Sequence, residues 1–109
     1  MIKKEDMPAC NVMTTLNLVN SKWKVLIIRD LATGAKRNSF LKKSLSGISQ
    51  KVLTAALKSL VKDGIVKRVD FEEIPPHVEY SLTDLGVKFL PIVEELRKWG
   101  ELYKQINNE

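Results

Sequence analysis

Apolar residues recur along this chain at helical spacing as far as Gly64, then at alternating positions, then again at helical spacing to the end. Val12, Leu16 and Val19 line one side of a short helix from Cys10 to Val19. Ser21 can cap a second helix, from Lys22 to about Ala32, that turns Trp23, Leu26, Ile27 and Leu31 inward; Gly34 closes it. A third helix over Arg37 to Leu45 buries Phe40, Leu41 and Leu45 and exposes Lys42 and Lys43. Ser46-Gly47-Ile48 is a tight connection into the best-punctuated stretch of the chain. There Ser49 is the N-cap, Gly64 the C-terminal stop, and Leu53, Leu57 and Leu60 fall at i, i+4 and i+7. Val52, Ala56 and Val61 widen that face, while Gln50, Lys51, Thr54, Lys58 and Lys62 occupy the other. Two helices joined by a short turn containing Gly form a helix-turn-helix.

After Gly64 the period falls to two. Val66 to Phe71 predicts one strand and Val78 to Leu82 a second, joined by Glu72-Glu73-Ile74-Pro75-Pro76-His77, whose prolines keep it out of a ladder. A helix-turn-helix followed by a hairpin is the order of a winged helix. Thr83 then caps a long final helix, with Leu85, Phe89, Ile92, Leu96, Trp99, Tyr103 and Ile106 spaced 4, 3, 4, 3, 4 and 3 apart. That is a heptad seam, although Pro91 should kink or restart it and Gly100 weakens it. The expected fold is mainly α with a small β-hairpin: a winged helix-turn-helix with N- and C-terminal dimerisation helices. It forms a single domain, 1–109, made of a flexible arm (1–9), the helix-turn-helix (37–63), the wing (65–82) and a dimerisation helix (83–107). In the alternative, the terminal stripe packs back on the domain's own core.

Composition narrows the class. A hydrophobic share of 44% in 109 residues argues a folded domain with a core of its own. No apolar run is long enough to span a bilayer, and the first residues lack a secretory h-region. With one cysteine there is no internal disulfide framework, which fits a cytoplasmic setting.

Charge changes the picture more. From Lys36 to Arg68 there are nine basic residues and the single acid Asp63, a net +8, whereas the remainder carries nine basic and twelve acidic residues, a net −3. A basic centre between acidic ends faces a polyanion, and double-stranded DNA is the natural partner. A membrane-binding helix would need exposed bulky apolar residues opposite its lysines, and here that face is needed for the core. The fourth helix offers Ser49, Gln50, Lys51 and Thr54 in its first exposed turns, donors suited to base edges. Arg37, Lys42, Lys43, Lys58, Lys67 and Arg68 are placed for phosphates, and His77 for the wing tip. The bland alternative is a solvated basic face.

Enzymatic chemistry finds little to stand on. His77 is the only histidine, so no metal cluster or catalytic triad assembles, no phosphate loop is present, and no cofactor is expected. Cys10 is the one nucleophile. At a helix N-terminus the dipole favours its thiolate, and Lys3 and Lys4 add positive charge. It is either a redox or electrophile switch, through a Cys10–Cys10′ bond or a mixed disulfide, or a small packing residue.

In order along the chain, Lys22-Trp23-Lys24, Gly47-Ile48-Ser49-Gln50-Lys51-Val52-Leu53-Thr54, Leu57-Lys58-Ser59-Leu60, Asp63-Gly64-Ile65-Val66 and Pro75-Pro76-His77-Val78-Glu79-Tyr80-Ser81-Leu82-Thr83 resemble the HxlR-type, MarR-like winged-helix regulators. The likeness covers Cys10 to Gly100. It implies a homodimer that binds DNA with the helix from Ser49 in the major groove and the hairpin as wing. It also implies dimerisation through the first and last helices, where Val12, Leu16, Val19, Phe89, Ile92, Leu96, Trp99 and Tyr103 stand. Some family members use a cysteine equivalent to Cys10 as a switch. Ser21 where the family has Gly, Asn38 where it often has Phe, and Asn11 where it commonly has Pro are departures. The reading is a dimeric, sequence-specific transcription regulator of an inverted-repeat operator. The alternatives are a winged-helix module for protein partners, or a DNA-binding protein without sequence preference or sensing. A small-molecule effector between the first and last helices stays open.

Overall fold

A computed structural model describes residues 1–106. Its elements are α1 (Asn11–Leu18), α2 (Lys22–Asp30), α3 (Asn38–Ser44), α4 (Gln50–Lys62), β1 (Val66–Asp70), β2 (Val78–Leu82), α5 (Asp84–Val87) and α6 (Leu90–Ile106). One 3-10 turn, Leu31–Thr33, extends α2. A second, Lys4–Asp6, lies in the stretch expected as a loose arm, where the Met1 amino group also donates to the Lys62 carbonyl (3.0 Å). Residue 107, the last of the expected dimerisation helix, lies outside the described residues.

The helix starts follow from local chemistry. Ser21, Ser49 and Thr83 each stand at an N-cap, and their side-chain oxygens accept from the backbone N–H of Lys24, Val52 and Gly86. Gly64, at φ +75°, ends α4 in the left-handed region that glycine tolerates best. Ile27, Ile28, Leu31, Leu41, Leu45, Ile48, Leu53, Ala56, Leu57, Leu60, Ile65 and Val66 form one buried cluster, and α2 packs against α3, α4 and α6. At roughly 25 cal/mol per Å² of apolar surface removed from water, this cluster dominates stability.

The hairpin pairs antiparallel, Val66 against Leu82 through Asp70 against Val78. Phe71 falls just outside β1 and is exposed, its N–H donating to the His77 carbonyl across the loop mouth. On the far edge of β2, Lys36 and Tyr80 exchange two backbone bonds of 2.8 Å, a one-residue bridge that the sequence pattern does not reveal.

Four expectations need correction. Phe40 is exposed: Leu41 and Leu45, one helical turn apart, already fill the inner stripe of α3, and the Phe40 ring instead lies 5.2 Å from Lys36 Nζ. Val52 is exposed as well, one position round from the buried Leu53. Trp23 and Leu26 are only partly buried, and Ile28 takes a central place beside Ile27. The terminal helix restarts, one of the two outcomes expected at Pro91: α5 stops at Val87, and α6 begins with Pro91 in its first turn, where a missing N–H costs little. The restart turns Phe89 and Leu90 onto the core, and the turn after α1 does the same for Val19. Val19 and Phe89 therefore leave the outer stripe and fasten the terminal helices to the domain.

Candidate nucleic-acid interface

The start of α4 decides what the domain can present. Its inner face, Leu53, Ala56, Leu57 and Leu60, is sealed in the core, so Gln50, Lys51, Thr54 and Lys58 are all exposed on the outside. Ser49 is held as the cap, its Oγ accepting from Val52 N–H at 3.1 Å, which leaves its hydroxyl hydrogen to donate outward. Gln50 Nε2 donates to Thr54 Oγ1 at 3.0 Å, tying two exposed side chains of successive turns together.

The wing comes alongside this face. Thr54, Lys58 and Val61 of α4 line a cleft of about 380 Å³ with Arg68 of β1 and Tyr80 of β2. Candidate base and phosphate contacts that are 14 residues apart in sequence thus meet across one groove. Arg37, at the N-cap of α3, lines a second cleft with Asn38, Ser39, Pro75, Pro76 and Val78, so the stiff wing loop lies next to the start of the helix-turn-helix. Lys42 and Lys43 are exposed on α3 and Lys67 on β1. Among the described residues, Arg37, Lys42, Lys43, Lys51, Lys58, Lys67 and Arg68 form no ion pair, whereas Arg29, Arg97 and Lys98 do. A set of solvent-facing cations with no acid to neutralise them keeps its charge for a phosphate backbone.

His77, expected at the wing tip, is engaged by the hairpin itself. Its Nε2 lies 2.6 Å from Glu79 Oε2 and its Nδ1 3.6 Å from Glu73 Oε2, and its ring lies tilted against Phe71, centroids 4.4 Å apart. Both nitrogens face carboxylates of the hairpin itself, so the residue shapes the wing loop. Cys10 is exposed and occupies the N-cap of α1, without a capping bond from its side chain. The described residues contain no cluster of His, Cys, Asp or Glu suited to a metal ion, and no helix long and apolar enough to cross a membrane.

The HxlR-like helix-turn-helix profile matches residues 18–108. The chain belongs to the HxlR-like helix-turn-helix family. This HxlR chain is 38% identical over 100 residues to the HTH-type transcriptional regulator YdeP of Bacillus subtilis strain 168, covering 92% of this chain and 78% of that one. Among solved structures it is similar to a MarR-family transcriptional regulator of Porphyromonas gingivalis W83 (40% identity, TM-score 0.82, 93% and 96% of the two chains). It is also similar to the redox regulator HypR in its oxidised form (39%, TM-score 0.80, 84% and 95%). As an HxlR protein it is a helix-turn-helix transcriptional regulator with a two-stranded wing. Two residues that sequence reasoning left out of the site, Tyr80 in the α4–wing cleft and Lys36 bridged to it, come into place through long-range pairing alone.

Proposed function

We propose that this HxlR regulator is a homodimer that binds an inverted-repeat operator, with α4 in the major groove and the hairpin at the flanking backbone. The observation that carries this reading is the outer face of α4 together with the acid-free cations around it. Ser49, Gln50, Lys51 and Thr54 address base edges; Arg37, Lys42, Lys43, Lys58, Lys67 and Arg68 address phosphates. Support for the dimer lies in α6, a 17-residue helix with no buried residue, whose Ile92, Leu96, Trp99 and Ile106 are exposed, as are Val12 and Leu16 of α1. An exposed apolar stripe of this length calls for a second copy. A two-fold dimer sets half-sites about one helical turn, roughly 34 Å, apart.

Selection from a random duplex library by the reduced protein at near-physiological salt tests the reading. Enrichment of an inverted repeat with that spacing supports it; retention of DNA without any enriched sequence rejects sequence-specific regulation. On the selected site, Gln50→Ala should relax base preference at one position per half-site by about 1–3 kcal/mol, whereas Lys43→Ala should weaken all sequences alike. Competition binding against single-base variants distinguishes them, and the reverse pattern would overturn the assignments.

Cys10 is where redox or electrophile control would act. HypR, similar in sequence and fold, is a redox regulator, and Cys10 is exposed at the start of a helix proposed to lie in the dimer interface. Exchange with a small disulfide would leave a mixed disulfide on Cys10 and release one thiol. The modified protein should bind its operator with altered affinity and Cys10→Ser protein should not respond. Unchanged affinity of fully modified protein removes sensing while leaving the regulator intact.

A further inference from the structure

Among the described residues Lys24 is the one charged residue in the buried set, 9% exposed, and the DNA-binding surface does not use it. Its ammonium group carries three N–H donors, and three oxygens receive them: the Leu18 carbonyl at 3.5 Å, Asn20 Oδ1 at 3.1 Å and Ser59 Oγ at 2.8 Å. None of the three is a carboxylate. Burying a cation among neutral acceptors is costly, and an apolar side chain of the same length would fill the space more cheaply. What the ammonium adds is direction.

Its acceptors come from three separate segments: the last residue of α1, the turn between α1 and α2, and the C-terminal part of α4. The Leu18 carbonyl sits at the C-terminal end of α1, where carbonyls lack an intrahelical partner and the helix dipole favours a cation. Ser59 lies nine residues beyond Gln50, about two and a half helical turns away, so it faces the domain where Gln50 faces outward. Apolar contacts let two helices slide against each other; hydrogen bonds of set length and angle from one buried nitrogen do not. Ser59 and Gln50 are about 14 Å apart along the axis, so a tilt of about 10° at the Lys24 end carries the reading end by some 2–3 Å.

We infer that Lys24 is a positioning residue that fixes α4 relative to α1 and thereby sets the separation of the two half-sites the dimer reads. The inference rests on the dimeric reading above and assigns the element that makes its spacing rigid. It requires no contact of Lys24 with DNA.

The test uses the selected inverted repeat, a series with the half-sites moved apart or together by one and two base pairs, and a duplex carrying a single half-site. Wild-type protein should prefer one spacing. Ser59→Ala and Lys24→Met should each lose about tenfold on the paired site, the scale of one lost bond to a charged group, with single-half-site affinity unchanged and the spacing preference flattened. A purely structural role would lower the melting temperature but leave the ratio of paired to single affinity and the spacing profile as in wild type; that result overturns the inference. Should Lys24→Met fail to fold, Ser59→Ala and Asn20→Ala, each removing one acceptor, decide by the same ratio. If the wild-type protein itself shows no paired-site preference, the dimeric reading fails and this inference falls with it. A variant that matches wild-type spacing rejects the role of Lys24 alone.

Discussion

At the residue scale, the joint between wing and terminal helices turns on Thr83 and Gly86. The Thr83 hydroxyl reaches the Gly64 carbonyl at 2.6 Å and the Ile65 carbonyl at 3.1 Å, and also accepts from Gly86 N–H at 3.1 Å. Gly86 is buried so close to the Ile65 carbonyl that a Cβ would overlap it. Gly86→Ala should therefore destabilise the domain by about 1–3 kcal/mol despite alanine's higher helix propensity. Thr83→Ala should cost about 1 kcal/mol as a lost cap. Urea denaturation of both variants checks the order; a stabilised Gly86→Ala protein would mean that α5 stands further from β1. Residues of this kind also mark what was legible beforehand. As caps and stop, Ser49, Ser21, Thr83 and Gly64 act on their own helices, so the sequence shows them; the bonds from Thr83 to Gly64 and Ile65 it does not show. Lys24 meets Ser59 and Lys36 meets Tyr80 only after the chain folds back, and no local pattern announces either pair.

At the scale of elements, hydrophobic periodicity locates the centres of the inner stripes and misplaces their edges. Phe40 and Val52 sit one position from the true stripe, where a 3.6-residue period cannot tell half-buried from exposed. The terminal seam shows the same limit: Pro91 announces the restart of the helix, but the continuous period does not show that the seam divides there. Phe89 goes to the core while Leu96, Trp99 and Ile106 stay out. Leu96→Glu tests that outward face. In an isolated protomer it is a surface change within about 0.5 kcal/mol of neutral. In a dimer it buries an unpaired carboxylate and should weaken association by about 2 kcal/mol or more, some thirtyfold in Kd. Sedimentation across a concentration series reads the difference, and an unmoved dimer constant would put the interface elsewhere.

The opposite face of α6 is held by Arg97, which bonds Glu94 at 2.8–3.1 Å and Glu101 at 3.0 Å. The Arg97 hydrogen bonds hold the Glu94 carboxyl below the ordinary carboxylate range. Because the folded value is the lower one, this support is complete at neutral pH and disappears as pH falls through the lowered value. The pair is solvent-exposed, so the effect is small. Wild-type α6 should keep a slight excess of helix over Glu94→Gln at neutral pH and lose that excess in acid, measured by circular dichroism.

At the scale of the whole molecule, charge and symmetry act together. Acidic residues are gathered outside the 36–68 segment, so the domain carries a dipolar distribution that a net +5 understates. Each cation that meets a phosphate releases a condensed counterion, and log affinity falls with log salt by about 0.9 per contact. In a two-fold dimer every side chain occurs twice. Removing Lys43 should therefore flatten the salt slope by about two on the inverted repeat and by about one on a single half-site. Lys104, a cation of α6 outside the basic segment, should leave both slopes unchanged when replaced by alanine. Fluorescence anisotropy titrations at four or five salt concentrations yield the slopes directly. A change of about one on both duplexes would mean that only one protomer engages the backbone even on the paired site. The symmetric dimer would then be wrong, whatever sequence is read.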